Sequence, residues 1–399
     1  MSKKWNIRIL LVICSLVICS FFPSALAYLN NPYDEYLMQQ WGWLRIYADV
    51  AYANNYRGDN ATIVAIIDTG IDLDHPDLQA NIYTNPGEIS GIPGVDDDGN
   101  GYIDDIHGWN FVNNSNDVAD HDGHGTHVSG IIAAIDNSID ICGVAPHVKI
   151  LPIKVIELES GDLSVLPSAI YYAMNMGAKI ISMSIGTNGF IAPPLKFKID
   201  NAIKDAYGNG TVLVAAAGND ASNQVSYPAS NSKVIAVAAT GKSNQWATYS
   251  NYGSEIDIAA PGGDSSGGII STYIDNYYAS LAGTSMACPH VSGAIALMLQ
   301  WNSTLTPAEV WARLNETAID LGTPGRDDYF GAGLVNVAGI LGLPMVHTYN
   351  PTLDWFLRNI WWIGLIGIAV ILLIIFSALK KTPQGSSSST PSYSSPGYF

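Results

Sequence analysis

Short apolar runs, several of them separated by helical stretches, set the architecture that this 399-residue chain can adopt. The runs are rich in Val, Ile and Ala and cover residues 61–67, 148–155, 180–185, 211–216 and 234–238. The helical stretches cover residues 128–135, 166–176 and 199–207. Because the runs do not alternate apolar with polar residues, the strands that they form should be buried on both faces, as in a parallel sheet. The pattern therefore predicts an α/β fold with a mostly parallel sheet flanked by helices.

The charge balance excludes one large class of partner. The chain has 18 basic and 35 acidic residues, and its formal net charge is −17. Nucleic acid is not an expected partner because its binding needs a basic surface, whereas cations, including metal ions, fit this balance. Hydrophobic residues make up 48% of the chain and charged residues 13%, which predicts a packed core. We expect Cys142 and Cys288 to be buried free thiols.

The first 27 residues have the three parts of a secretory signal peptide. A start with Lys3, Lys4 and Arg8 is followed by an apolar run over residues 9–22 and by Ala-Leu-Ala at residues 25–27. This pattern predicts cleavage after Ala27 and export of the chain that follows. The alternative is an uncleaved anchor, although the apolar run is short for a membrane span.

A second apolar segment near the carboxyl end is long enough to cross a bilayer. Residues 360–379 contain no charged residue, and a helix of this length spans the hydrocarbon core, which is about 30 Å thick. Aromatic residues precede the segment, and Lys380 and Lys381 follow it, which predicts a cytoplasmic carboxyl terminus. We therefore predict an extracellular domain at residues 28–342, a linker at 343–359, a transmembrane helix at 360–379 and a cytoplasmic Ser/Pro-rich tail at 380–399. The predicted location is the cell membrane, with a single pass.

Three motifs supply the groups for covalent acyl transfer. Asp68 ends a predicted strand in the run Val-Ala-Ile-Ile-Asp-Thr-Gly, and His124 lies in Asp-Gly-His-Gly-Thr-His. Ser285 lies in Gly-Thr-Ser-Met-Ala-Cys-Pro-His, where it opens an apolar helix. A serine becomes nucleophilic when a histidine accepts its proton, and a carboxylate fixes the tautomer of that histidine. The order Asp, His, Ser along the chain is that of subtilisin.

These motifs resemble those of the subtilisin-like serine proteases, the subtilases, over residues 36–342. The resemblance implies a three-layer subtilisin-like fold and a Ser-His-Asp triad of Asp68, His124 and Ser285. It also implies that Asn219, in Ala-Ala-Ala-Gly-Asn, donates a hydrogen bond to the oxyanion. Polypeptides are the implied substrates.

The resemblance also implies a substrate cleft. One edge strand would pair with an extended peptide, and three residues would form a wall of the primary specificity pocket. Ser226, in Ser-Tyr-Pro, would form the floor of that pocket, which we expect to accept apolar or aromatic side chains. The edge strand and the wall comprise Ser184, Ile185 and Gly186, and Ala216, Ala217 and Gly218.

An acidic stretch at residues 96–105 has the spacing of a calcium-binding loop. Its candidate ligands are Asp96, Asp98, Asn100, the carbonyl of Tyr102, Asp104 and Asp105. The stretch begins like an EF-hand, but His107 stands where the glutamate would be, so it is not a complete one. A solvated acidic loop is the alternative. The family resemblance adds Asp77 as a further calcium ligand.

The sequence thus predicts a membrane-anchored extracellular serine endopeptidase, stabilised by calcium. Two other functions stay open: a catalytically silent protein that binds peptides at the surface, and an esterase or peptide ligase that uses the same acyl-enzyme chemistry. A zinc site of His121, His124 and His127 is a weaker alternative, since no glutamate lies within that cluster to act as a base.

Overall fold

The computed structural model describes residues 39–137, 141–158 and 160–347. The predicted signal peptide, transmembrane helix and tail lie outside these residues, as does the linker beyond residue 347. Among the described residues, no helix has the length and apolarity to cross a membrane.

Eleven strands are present in the described residues. They are β1 Ile63–Asp68, β2 Trp109–Asn110, β3 Lys149–Lys154, β4 Ile156–Glu157, β5 Ser160–Gly161, β6 Ile180–Met183, β7 Val212–Ala216, β8 Val234–Thr240, β9 Ile258–Pro261, β10 Ile269–Tyr273 and β11 Tyr277–Leu281. Seven of them form one sheet in the order β2-β3-β1-β6-β7-β8-β9, and every pair in it is parallel. The predicted mostly parallel sheet is confirmed. β10 and β11 form a separate antiparallel hairpin, and so do β4 and β5.

Eight α-helices accompany these strands in the same part of the chain. They are α1 Trp41–Arg45, α2 Ala48–Ala53, α3 His124–Ala133, α4 Leu166–Asn175, α5 Pro193–Gly208, α6 Thr284–Trp301, α7 Pro307–Thr317 and α8 Val337–Ile340. α3 begins four residues before the apolar stretch at 128–135 that predicted it. α5 begins six residues before its predicted start. Its first turn is largely exposed and therefore has no apolar pattern that would predict it. The two prolines in that turn suit the first positions of a helix.

Alternate residues of the central strands enter two different cores. Val64 and Ile66 of β1 lie in the core that also contains apolar residues of α3 and α6, while Ala65 and Ile67 lie in the core with residues of α4 and α5. Each strand is therefore covered on both faces, which is why its sequence is apolar throughout. The result is the three-layer arrangement of helices, sheet and helices.

The sheet order brings three chemically important chain segments to one edge. β1, β6 and β7 are neighbours, and their carboxyl ends lie on the same side because the strands are parallel. Asp68 is the last residue of β1, Ser184 follows β6 directly, and Asn219 lies three residues beyond the end of β7. Sites in such sheets form beyond the carboxyl ends of the strands.

Candidate active site

Asp68 and His124 form a short charge-assisted contact. The Nδ1 atom of His124 lies 2.7 Å from Oδ1 of Asp68, and the same oxygen accepts a hydrogen bond from the backbone N–H of Thr69 at 2.8 Å. The Asp68 side chain is completely buried, and 28% of the His124 side chain is exposed. The carboxylate therefore holds the imidazole with Nδ1 as the donor, which leaves Nε2 free to accept a proton.

The position of His124 depends on the glycine before it. Gly123 caps α3 with a φ of +98°, a conformation that glycine adopts without strain. A Cβ at this position would also lie 2.4 Å from the ring of Tyr273. The Asp-Gly-His sequence thus lets the helix begin at the histidine itself, close to the end of β1.

Ser285 is the second residue of α6, the helix that packs across β6, β7, β8 and β9. Its Oγ donates to the carbonyl of Ser184 at 3.2 Å, and Ser184 Oγ donates to the Ser285 carbonyl at 2.9 Å. The first N–H groups of a helix have no partner within the helix and carry partial positive charge. The serine therefore lies where an adjacent negative charge is favoured.

The amide of Asn219 has its orientation fixed by Thr284. Asn219 Oδ1 accepts hydrogen bonds from the backbone N–H of Thr284 at 2.9 Å and from Thr284 Oγ1 at 3.0 Å. The Nδ2 donors therefore face away from Thr284, and the side chain is exposed. Gly218, with a φ of +103°, allows the turn, and a Cβ there would lie 2.2 Å from Ser226 Oγ.

His124, Ser285 and Asn219 line a single groove with a volume of about 920 Å³, and Asp68 is buried beneath it. Most of the residues predicted for the substrate cleft line it as well: Ser184, Ile185, Gly186, Ala216, Gly218 and Ser226. Ala217 does not, because its side chain is buried in the core beside α4 and α5. The carboxylates in the lining belong to Asp122, Asp162 and Asp220, so the groove has a negative potential.

The carboxylates around His124 change its basicity. Burial alone lowers the pKa of a histidine, but the charge and hydrogen bond of Asp68 oppose this effect. Asp122 and Asp120 add to the attraction, and together these groups raise the pKa of His124 to about 9. A more basic imidazole accepts a serine proton more readily, although it is neutral only at higher pH.

The other histidines of the region do not converge with His124 on one point. Nδ1 of His121 lies 3.1 Å from Glu157 Oε1, whereas Nε2 of His127 lies 3.1 Å from the carbonyls of Ile269 and Ala279 in the β10–β11 hairpin. Burial lowers the pKa of His127 to about 3, so this residue is neutral. These contacts give His127 a structural role and do not favour the zinc alternative.

Comparison with known proteins identifies the family. The model of the subtilase family matches residues 59–333. Subtilisin DY from Bacillus licheniformis is 39% identical over 297 residues, which are 73% of this chain and 94% of that protein. Subtilisin Savinase from Lederbergia lenta is 36% identical over 74% of this chain and 96% of its own length. A thermophilic serine proteinase from Bacillus sp. (strain AK1) is 36% identical over 77% of this chain and 68% of its own length.

The chain belongs to the subtilase family. This subtilase is therefore a serine endopeptidase, and polypeptides are its substrates. The resemblance inferred from the three motifs is confirmed, as is the enzyme class.

The acidic stretch of this subtilase folds around a carboxylate that the sequence did not indicate. Ligand atoms of Glu88, Asp98 and Asp105 lie within 4.8 Å of one another. Glu88 is buried, and its oxygens accept the backbone N–H groups of Asp97, Asp98 and Asp104. We call residues 85–107 the acidic loop. Glu88 lies eight residues before Asp96, and only the folding back of the chain brings it to this group.

The remaining candidate ligands of the acidic loop have other partners. Asp96 accepts the backbone N–H groups of Asn100 and Gly101, and Asp104 accepts that of Gly94. Asn100 Nδ2 donates to both Asp98 and Asp105, and its Oδ1 accepts the N–H of Tyr102. Asp96 and Asp104 therefore shape the turn around the three-carboxylate group, of which they are not members.

Asp77 has a different setting. Its side chain is buried, and it accepts hydrogen bonds from Asn137 Nδ2 at 2.7 Å and from the hydroxyl of Tyr278 at 2.6 Å. Cys142 and Cys288 are both buried, as predicted.

Proposed function

We propose that this subtilase is a membrane-anchored extracellular serine endopeptidase whose catalytic triad is Asp68, His124 and Ser285. The contact of 2.7 Å between Asp68 and His124, at the edge of a groove that Ser285 also lines, is the observation that carries the proposal. The family membership supports the reaction class, and the motif order along the chain supports the roles.

In the proposed mechanism, Ser285 Oγ attacks the carbonyl carbon of a peptide bond while Nε2 of His124 accepts the hydroxyl proton. In the free enzyme the Ser285 hydroxyl is hydrogen-bonded to the Ser184 carbonyl. We infer that it turns to His124 when the substrate enters, since catalytic hydrogen bonds often tighten only in the complex. His124 then gives the proton to the leaving amine, and an acyl-enzyme forms on Ser285. Water attacks that ester in the second half of the reaction.

The negative oxygen of the tetrahedral intermediate would be held by Asn219 Nδ2 and the backbone N–H of Ser285. Thr284 supports this role because it occupies the Oδ1 side of the Asn219 amide, which leaves Nδ2 as the group that faces the groove. A donor of this kind raises kcat by a factor of about 10²–10³.

Labelling with a membrane-impermeant fluorophosphonate probe tests the reactivity and the location together. Intact cells that express the full chain should show a covalent adduct on Ser285 in the membrane fraction, and Ser285→Ala should show none. The probe reacts only with an activated serine, so labelling separates an enzyme from a silent peptide-binding protein. Comparison of amide with ester hydrolysis then separates a peptidase from an esterase.

Absence of an adduct on a folded parent chain would contradict the triad. An adduct found only after the cells are opened, or found only in the medium, would contradict the external anchored location. That location rests on the signal-peptide pattern of residues 1–27 and the apolar segment at residues 360–379.

We expect kcat/KM to rise with pH through a pKa of about 9. His124 must be neutral to accept the serine proton, and its pKa is raised to about 9 from 6.5 by the surrounding carboxylates. Asp122→Asn removes one of these charges, so its profile should shift to lower pH. Asp59→Asn, an equal charge change at an exposed residue before β1, should leave the profile in place. A parent profile that is flat above pH 7 would be the opposite result.

We further propose that the acidic loop binds calcium through Glu88, Asp98 and Asp105. The donor set fits the ion, because calcium prefers carboxylate oxygens and three are already close together. Burial raises the pKa of Asp105, and the nearby Asp98 carboxylate raises it further, so the charged form is costly there without a cation. Bound calcium would supply positive charge that neutralises this repulsion. Asp77 is proposed as a ligand of a second site, on the family resemblance alone.

Calcium should raise the melting temperature of the parent chain by about 4 °C at 100 times the dissociation constant. Asp98→Ala should lose this increase and should melt at about the parent temperature in chelator. Glu316→Ala, an exposed acidic residue on α7, is the matched control and should keep the increase. The measurement is thermal unfolding with and without calcium, and equal melting temperatures of the parent under both conditions would refute the site.

A further inference from the structure

Tyr172 connects the acidic loop to the body of the enzyme. Its side chain is 1% exposed, and its hydroxyl donates to Oδ2 of Asp105 at 2.6 Å. Burial raises the pKa of Tyr172, and the Asp105 carboxylate raises it further, so the hydroxyl keeps its proton and remains a donor. The other oxygen of Asp105 accepts from Asn85 at 2.7 Å. Movement of the Asp105 carboxylate therefore acts directly on the tyrosine.

The helix that contains Tyr172 forms part of the substrate groove at its other end. Tyr172 is in α4, and Leu166, the first residue of that helix, lines the groove. The two positions are six residues apart along the helix, a distance of about 9 Å. Leu163 and Val165, in the 3₁₀ turn before α4, line the groove as well. We call Leu163, Val165 and Leu166 the α4 wall.

Aromatic packing reinforces the connection. The ring of Tyr172 lies 4.8 Å from that of Tyr102 in the acidic loop and 6.0 Å from that of Phe111, both edge to face. Tyr102 also contacts Trp109 of β2 at 5.0 Å. Rings in such arrangements interact favourably beyond the area that they bury. Through Tyr102, the acidic loop thus packs against Tyr172 of α4 and Trp109 of β2.

The α4 wall is separate from the groups proposed for catalysis. None of the hydrogen bonds described for Asp68, His124 and Ser285 involves a residue of this wall, and the same holds for Asn219. A shift of the wall should therefore alter the binding of extended peptides and leave the chemistry at the serine unchanged.

We propose that Tyr172 is a positioning residue that couples calcium binding in the acidic loop to the binding of the peptide substrate at the α4 wall. This inference rests on the proposed calcium site and on the proposed endopeptidase function. Without a cation the three carboxylates repel one another, and the Asp105–Tyr172 hydrogen bond joins one of these carboxylates directly to α4. With calcium bound, Asp105 is held and α4 keeps the position that fits a peptide.

Because coupling between two binding sites is reciprocal, it has a readout that needs no turnover. If calcium raises peptide affinity by some factor, a bound peptide raises calcium affinity by the same factor. We expect a factor of about 5 or more, the lower end of ordinary coupling between sites.

The test uses the full chain with Ser285→Ala, which binds peptide without cleaving it. Isothermal titration calorimetry measures the calcium dissociation constant alone and with a saturating octapeptide, and then the peptide dissociation constant in calcium and in chelator. Both should improve about 5-fold or more. In the active chain, calcium should lower KM for the octapeptide, with kcat and the hydrolysis of a short ester unchanged.

Tyr172→Phe keeps the ring and removes only the hydroxyl. It should still bind calcium, but the two affinities should become independent of each other. Tyr171→Phe is the matched control, since Tyr171 is on the same helix and donates to an aspartate, Asp205 of α5, at 2.8 Å. Tyr171→Phe should keep the full coupling.

Leu163→Ala provides a second variant at the groove end, where the side chain is only partly buried. It should also bind calcium without coupling, and so keeps the test informative if Tyr172→Phe does not fold.

Coupling that persists in Tyr172→Phe, or an equal calcium effect on the short ester, would overturn the proposal. Calcium binding without any coupling in the parent would overturn it and leave the calcium site standing. The absence of calcium binding would overturn both, and cleavage of the octapeptide by Ser285→Ala would contradict the triad alone.

Discussion

Ser285→Ala should lower kcat for a peptide amide by about 10⁶-fold. The alanine has no nucleophile, so His124 has no proton to accept and no acyl-enzyme can form. Some rate enhancement over water should remain, because Asn219 and the groove still bind the peptide and the negative oxygen that forms when water attacks it. The fold should persist, since the substitution removes one hydrogen bond of 3.2 Å to the Ser184 carbonyl.

The measurement is steady-state hydrolysis of a peptide amide together with thermal unfolding. Ser254→Ala, an exposed serine away from the groove, is the matched control and should keep the parent rate. Ser285 could not be the nucleophile if Ser285→Ala kept a large fraction of the parent activity.

Asp68→Asn should lower kcat at neutral pH by about 10⁴-fold. The amide can present its NH₂ group to Nδ1 of His124, which favours the wrong tautomer, and it removes the charge that stabilises the imidazolium. Because Asp68 makes the largest contribution that raises the pKa of His124, the remaining activity should also titrate at lower pH than in the parent. Kinetics over a pH series measures both effects.

The double variant Asp68→Asn with Ser285→Ala adds a sharper requirement. Residues that act as one unit have non-additive effects, so the pair should be no slower than Ser285→Ala alone. Asp59→Asn, the same change at an exposed residue before β1, should be close to the parent in rate. Additive losses in the double variant would show that Asp68 and Ser285 act independently.

Much of the fold was accessible from the sequence because its central strands are buried on both faces. The apolar runs at residues 61–67 and 211–216 correspond to β1 and β7, and their bounds differ from those of the strands by at most two residues. The β10–β11 hairpin was not predicted, since β11 has no buried residue and its side chains carry no apolar pattern. The same reason explains the late predicted start of α5, whose first turn is largely exposed.

The sequence likewise predicted some residues of the candidate site and missed others. Asp68, His124 and Ser285 were predicted because each lies in a distinctive local motif. Ala217 was assigned to a wall of the groove from the family resemblance, but which side chains are buried at the end of a strand depends on the layer beneath it. Glu88 carries no local signal, and the negative groove could not be inferred from the composition alone.

By itself, the sequence determined the layer architecture, the residues proposed for the triad and the reaction class. These features follow from short-range patterns, namely apolar runs, glycines beside a histidine and a serine at a helix start. The tertiary structure alone decided which distant groups meet. Thr284 orients Asn219 from 65 residues away, and Tyr172 holds Asp105 from 67 residues away. Such contacts arise from the order of the strands and the packing of helices on both faces, which no local pattern of residues encodes.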